Sequence, residues 1–257
     1  DPLPGYKSPK PLVFLSLFPK DKSTFEDLRD ALEKLKLADA ALSFEPFHSV
    51  ALGAGFKVGF LGMLHAEVTL ERLKRESKLD ILATAPTVAY AILLNNGMEL
   101  KVTSPSQFPD PSEIAEVREP RVLARIYAPA QYLGKLTKIV SGSRGEFTDT
   151  TYLSEKNILL EVKIPLQELV TQFYDRLKSA SSGYASLDYD FTGFEVADLV
   201  KLDILIHGEL SEPLSQIVPK EKAYDIGKNL VAKLKEVLPK EQFKVSLQAA
   251  VGGHIIA

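Results

Sequence analysis

Four histidines, at positions 48, 65, 207 and 254, are the first residues to test for chemistry. Two imidazoles spaced i, i+4 on one helix face can hold a zinc ion, but these four fall in separate segments, so no metal site is expected. His65 begins a predicted helix beside Glu67. General-base chemistry is one reading of it; an imidazole packed against a sheet at a helix start is the other, and the preferred one. Asp188 and Asp190 lie two apart on a predicted strand, which projects both carboxylates from one face as paired acid/base work would need. Solvation of an exposed strand face explains them more simply. Ser179 to Ser182 form no G-x-S-x-G elbow. A phosphate-binding loop needs G-x-x-x-x-G-K-S/T, and neither Gly142-Ser-Arg-Gly145 nor Gly59-Phe-Leu-Gly62 has that length or the Lys-Ser/Thr pair. Cysteine is absent, which removes thiolate ligands and nucleophiles. The expectation is a chain with no catalytic residue, no cofactor of its own and no metal.

Basic side chains are the remaining candidates. They concentrate near turns at Lys135, Lys138 and Arg144, at Arg176 and Lys178, and among the lysines at 220, 222, 228, 233 and 235. Of these, Lys135, Lys138, Arg144, Arg176, Lys178, Lys228 and Lys233 are the expected contacts for RNA phosphates. A solubilising helix face is the competing reading, since Glu221, Asp225 and Glu236 interleave with the last group. With 31 basic and 34 acidic residues the net charge is -3, so any RNA contact must be local rather than a coating.

The elements that would position these residues follow from periodicity. Pro11 to Phe18 reads as a strand, Ser23 with Glu26 as a capping box, and Phe25, Leu28, Leu32 and Leu35 as one helix face. Extended segments near 41–47 and 56–61, separated by a turn at Gly53-Ala-Gly55, pair as a hairpin. Gly62 opens a helix with Met63, Ala66, Leu70 and Leu73 inward, and an apolar strand follows from Leu79 to Tyr90. That order is the ferredoxin-like βαββαβ arrangement, assigned to 10–94. Residues 95–119, with Asn95-Asn-Gly97 and prolines at 105, 109 and 111, read as a connector that ends at Pro120.

A second βαββαβ unit is expected over 120–196. Val122, Ala124 and Ile126 alternate, 132–140 is helical, 146–152 is extended, and Ile158, Leu160, Val162 and Ile164 alternate. Pro165 starts a helix carrying Leu166, Leu169, Phe173 and Leu177, closed by Gly183, and 185–191 alternates again. Part of a third α+β domain is expected over 197–257, with a strand at 201–206, a helix over 223–238 and a strand bearing Phe243, Val245, Leu247 and Ala249. Residues 1–9 read as a linker. The fold class is therefore α+β, two ferredoxin-like domains and part of a third. At 257 residues with 45% apolar and 25% charged composition, the chain fits more than one globular core. The longest apolar runs fall well short of the roughly 20 residues a membrane span needs.

Motifs then add a family. Ala51-Leu-Gly-Ala-Gly-Phe-Lys-Val-Gly-Phe-Leu-Gly-Met-Leu-His-Ala-Glu67, with Glu71-Arg-Leu and Ala85-Pro-Thr-Val88, closely resembles domain III of the LepA family, also called elongation factor four. Arg118-Glu-Pro, Gln131-Tyr-Leu-Gly134, Arg144-Gly145 and Leu177-Lys-Ser-Ala-Ser-Ser-Gly-Tyr-Ala-Ser-Leu-Asp-Tyr189 resemble its domain V. Asp198 to Ile206 and Gln248-Ala-Ala-Val251 are similar to the start of its C-terminal domain. The resemblance implies a translational GTPase that binds the ribosome and tRNA and remodels or back-translocates their complexes. GTP and Mg would be held by an N-terminal domain outside this chain, against which domains III and V brace. Ser182 and Lys240-Glu241 depart from the family's basic residues, and Ser182 with Thr103-Ser-Pro-Ser-Gln-Phe-Pro-Asp110 looks more like mitochondrial members. A mitochondrial matrix setting, with peripheral membrane association left open, is therefore expected ahead of the bacterial cytoplasm. The alternative function is a ligand-binding enzyme or sensor built on paired ferredoxin-like domains.

Overall fold

Alternation along β1 (Val13–Pro19) sends Val13, Leu15 and Leu17 into the core beneath two helices, α1 (Phe25–Ala38) and α2 (Met63–Glu76). The computed structural model describes residues 10–20, 23–49, 52–237 and 246–257. The expected linker 1–9 and residues Lys240, Glu241, Phe243 and Val245 lie outside the described residues. The capping box of α1 stands one residue later than expected. Thr24 Oγ1 accepts the Asp27 N–H at 3.2 Å and Asp27 Oδ2 accepts the Thr24 N–H at 3.0 Å. Ser23 instead accepts the Asp80 N–H at 2.9 Å, tying the helix entry to the strand across the sheet.

With β2 (Ser43–Ser49), β3 (Gly53–Phe60), β4 (Ile81–Ala83) and β5 (Thr87–Val88), the first sheet is antiparallel in the order β2-β3-β1-β4, β5 also pairing with β1. This is the ferredoxin-like order. The Gly53-Ala-Gly55 segment is not the hairpin turn but part of β3, with Gly53 opposite Ser49 and Gly55 opposite Phe47. Gly55 is needed for close approach. A Cβ there would stand 2.4 Å from the Leu17 carbonyl oxygen and 2.6 Å from the Phe18 ring. Gly55→Ala is therefore expected to cost about 1–3 kcal/mol in a denaturation titration. An unchanged midpoint would mean that Leu17 and Phe18 give way freely.

The strand expected over 79–90 is broken. Pro86, which offers no N–H, separates β4 from β5, and Tyr90 already belongs to a second sheet. There β6 (Tyr90–Leu94) and β7 (Glu99–Val102) form a hairpin around Asn95-Asn-Gly97, with Gly97 at φ +83°. The 16-residue β8 (Ile114–Pro129) pairs its first residues with β6. Much of the expected connector 95–119 is thus sheet, and the first unit gives up its strand at Ala89 rather than at residue 94. Prolines 105 and 111 open two 3-10 turns between β7 and β8.

Beyond Pro120, β8 continues as the centre of a second ferredoxin-like unit. It comprises α3 (Leu133–Gly142), β9 (Glu146–Tyr152), β10 (Asn157–Pro165), α4 (Leu166–Glu168), a π turn (Leu169–Phe173), α5 (Tyr174–Ala180) and β11 (Ser186–Val196). β8 lies between β11 and β10, with β9 outside β10. The buried positions of β8 change phase at Pro120: Val117 and Glu119 before it, Val122, Ala124, Ile126 and Ala128 after it. The helices cover this second set.

The third unit has β12 (Leu199–Ile206), β13 (Glu209–Leu210), β14 (Gln216–Pro219), α6 (Ala223–Val237), β15 (Leu247–Val251) and β16 (His254–Ile255). Its sheet is antiparallel in the order β13-β12-β15-β16, β14 sharing β12, with α6 packed over β15 and β12. Its core, around Leu202, Ile204, Val218 and Ala249, is distinct from the continuous core that joins the first two units through Val88, Tyr90 and Ile92, to which Leu199 of β12 and Ile217 of β14 also belong. Among the described residues no helix is long and apolar enough to cross a membrane.

Candidate nucleic-acid interface

α3, Leu-Gly-Lys-Leu-Thr-Lys-Ile-Val-Ser-Gly, contains no acidic residue. Leu136 and Val140 pack inward, which turns Lys135 and Lys138 to solvent. α5 adds exposed Arg176 and half-buried Lys178, with Asp175 the only carboxylate of that helix. Among the described residues, no carboxylate lies within ion-pair distance of Lys135, Lys138, Arg176, Lys178, Lys228 or Lys233. Their partners are aromatic or main-chain groups. Lys135, Lys178 and Lys228 sit over the rings of Tyr132, Tyr174 and Tyr224 at 5.9, 5.4 and 5.9 Å from the centroids. Arg176 Nη1 donates to Ser143 Oγ at 3.3 Å, and Lys222 Nζ donates to the Gly142 carbonyl at 3.0 Å, so both cations meet the C-terminus of α3.

The opposite face of the same sheet is arranged the other way. Arg125 on β8 is flanked by Glu161 on β10 and by Asp188 and Asp190 on β11. Arg121 faces Glu146 and Glu195, and Lys163 pairs with Glu195. Asp188 and Asp190 are therefore counter-ions of Arg125, whose guanidinium is shifted further toward its protonated form by the hydrogen bond to Asp190 and then by the charge of both carboxylates. The second unit separates its charges, with a neutralised strand face behind and an unneutralised basic helix layer in front.

Arg144 does not belong to that layer, contrary to expectation. It stands at φ +54° in the turn after α3, and its guanidinium turns inward. Nη1 and Nη2 donate to the two oxygens of Glu119 at 2.9 and 3.0 Å, and Nε donates to Glu168 Oε1 at 2.9 Å. Glu119, Arg144, Glu168 and Lys222, the last 3.9 Å from Glu168, run in series from β8 to the third unit. Three of the five N–H donors of Arg144 are committed to carboxylates and its side chain is only 17% exposed, so it presents little to a phosphate in solvent. Of the seven expected contacts, Lys135, Lys138, Arg176 and Lys178 gather on one layer, Lys228 and Lys233 lie exposed on the neighbouring α6, and Arg144 is structural. The tyrosines paired with these lysines were not singled out from sequence, although i, i+4 spacing at 174/178 and 224/228 marks two of the pairs.

The histidines occupy β2, α2, the turn after β12 and β16. His65 Nδ1 accepts the Leu61 N–H at 3.2 Å, its ring meets Phe60 edge-on, and Nε2 lies 2.8 Å from Asp39 Oδ2. It joins the end of α1 to the start of α2. Where the three sheets meet, a cavity of about 110 Å³ is lined by Ser16, Lys57, Thr84, Thr103, Gln167 and Ser215, well below the roughly 300 Å³ at which drug-sized ligand pockets begin. Lys57 there is paired with Glu45 at 2.8 Å.

Two family models match consecutive stretches of the chain: the elongation factor G C-terminus over residues 116–205 and the C-terminus of the GTP-binding protein LepA over 206–257. The chain is 51% identical over all 257 residues to elongation factor 4 of Bacillus cytotoxicus, covering 42% of that protein. It is 49% identical over its whole length to elongation factor 4 of Acetivibrio thermocellus, and 51% identical over 255 residues to that of Kineococcus radiotolerans, covering 43% and 41% of them. It thus spans about two fifths of the relatives it matches. The match covers the whole chain, all three sheets included, and the chain belongs to the LepA, or elongation factor 4, family.

Proposed function

We propose that this chain is the ribosome-docking portion of a translational GTPase that remodels or back-translocates tRNA–ribosome complexes, and that Lys135, Lys138, Arg176 and Lys178 contact rRNA phosphates. The supporting observation is the helix layer of the second unit, four cations with no carboxylate within ion-pair distance among the described residues, on a chain whose net charge is -3. Such a layer attracts a polyanion locally without making the whole molecule stick to nucleic acid. Lys228 and Lys233 extend it along α6. GTP and Mg belong to the nucleotide-binding half of the parent protein. Leu61, Leu64 and Val68, exposed by 40%, 74% and 51% at the start of α2, offer that half an apolar seat. The bacterial relatives favour a bacterial cytoplasmic setting, whereas a mitochondrial one, with or without membrane association, rests on Ser182 and residues 103–110 alone.

Cosedimentation of the chain with ribosomes across a salt series tests the proposal. Each phosphate contact contributes roughly 0.7–0.9 to the slope of log affinity against log salt, so replacing the four cations by glutamine should flatten the slope by about three. Binding that is absent, insensitive to salt or indifferent to the four substitutions would defeat it.

A further inference from the structure

Tyr184 is 70% exposed, yet the loop that carries it is held by several hydrogen bonds. Ser181, fully buried, donates its hydroxyl to the Leu177 carbonyl at 2.8 Å and accepts the Ala185 N–H at 2.9 Å. The Gly183 N–H reaches the Lys178 carbonyl at 2.8 Å, and the Tyr184 N–H the Ser181 carbonyl at 3.1 Å. Ser182 and Gly183 take consecutive left-handed conformations, φ +52° and +85°. For serine that conformation costs about 1 kcal/mol or more, and it persists only where surrounding bonds over-determine it. Packing of the tyrosine does not account for the expense, because most of the ring faces solvent. A preorganised loop that displays an aromatic face suits binding, since no ordering entropy is left to lose.

The loop also holds a cation. Lys178 Nζ donates to the Gly183 carbonyl at 3.3 Å while lying over the Tyr174 ring, so its ammonium is held between the helix and the residue that precedes Tyr184. Lys178 and Arg176 supply charge for phosphates, and Tyr184 supplies a flat apolar face at the same edge of the basic layer. A paired base keeps its faces inside the duplex stack; only an unpaired, splayed base can cover a tyrosine ring.

We propose that Tyr184 is a stacking platform for an unpaired RNA base, with Lys178 holding the adjoining phosphate, so that this surface selects looped or single-stranded RNA over duplex. This rests on the RNA-docking reading above and narrows it to a class of RNA.

The test compares binding of the 257-residue chain to a fluorescent 12-nucleotide single-stranded RNA and to a 12-base-pair duplex at several salt concentrations. Loss of one stacked base on alanine substitution corresponds to about 10-fold to 100-fold in affinity. Tyr184→Ala should lose that much for the single strand, leave the duplex and the salt slope unchanged, and be rescued by Tyr184→Phe. Lys178→Gln should flatten the single-strand slope by about 0.7. If Tyr184→Ala binds like the parent, or weakens single strand and duplex alike, while Lys178→Gln and the four-cation variant still lose salt-dependent binding, stacking is overturned and the docking surface stands. If no variant changes binding to ribosomes or either RNA, both fall. Thermal unfolding of Tyr184→Ala should match the parent, and a lowered midpoint would overturn the view that the ring contributes nothing to the fold.

Discussion

Glu119→Gln is expected to destabilise the chain by about 1–3 kcal/mol, the cost of setting an amide NH2 against guanidinium N–H donors in a buried site. Glu119 is 1% exposed in its side chain and lies against Arg144 on both oxygens, with Arg121 Nη2 3.5 Å away. Burial pushes its carboxyl up from the ordinary glutamate range, and Arg144 and Arg121 pull it back without fully offsetting the burial. Arg144 is itself largely buried; Glu119 and Glu168 more than offset the desolvation that would favour its neutral form. An amide at position 119 would leave Nη1 and Nη2 of a charged guanidinium facing a neutral group in a site that water does not reach. Glu168→Gln should cost less, because Glu168 is 21% exposed and solvent can take its place. Urea unfolding checks both, and a loss below about 1 kcal/mol for Glu119→Gln would show that the cluster relaxes to admit water.

The same pair sets a pH dependence. A carboxyl whose folded pKa is raised binds its proton more tightly when native, so its contribution to stability is complete below the ordinary glutamate value and is lost as pH rises through the raised one. In the parent, part of the pH slope just above the ordinary glutamate range should come from Glu119. Glu119→Gln should lack it, and an identical slope in both proteins would rule this contribution out.

Faces were legible in the sequence, and strand partners were not. Ile158, Leu160, Val162 and Ile164 alternate because one side of a strand meets a helix layer, and all four are buried, whereas the apolar run over 13–18 is buried on both faces. From Val88 through Ala89 and Tyr90 to Ile92 the buried apolar run also continues across the change of sheet. An apolar run reports burial but not which sheet supplies the hydrogen bonds, and the partner changes from Val13 at Val88 to Val102 at Tyr90. The crossover was therefore hidden inside what reads as a single strand. Arg144 was hidden in a similar way. Its carboxylate lies 25 residues earlier in the chain, and nothing local distinguishes an arginine destined for such a partner from one facing solvent. The lysines of α3 and α5 could be placed because helical spacing turns them away from Leu136, Val140 and Leu177, whichever residues lie beyond the helix.

Phe56→Ala should remove about 3–5 kcal/mol, the usual cost of truncating a fully enclosed aromatic ring. Phe56 is 1% exposed, stacks on Phe25 of α1 at 4.5 Å and meets Phe44 of β2 edge-on at 5.6 Å, so one side chain ties the first helix to the edge of the first sheet. Neighbours fixed in a helix and in two paired strands have little freedom to fill the space, which places the cost toward the upper end. At about 2–4 °C per kcal/mol for a cooperative unit of this size, the midpoint should fall by roughly 10 °C. Since the first two units share one continuous core through Val88, Tyr90 and Ile92, the whole of residues 10–196 should lose stability together. Hydrogen exchange decides the point. Amides of β10, far from the cavity, should lose protection in parallel with those of β1 and β3, while α6 and β15, whose buried residues belong to the third unit's own core, keep theirs. Loss confined to the first sheet would mean that the bridge at Val88 to Ile92 transmits little, and that the basic layer of α3 and α5 is held in place by the second unit alone.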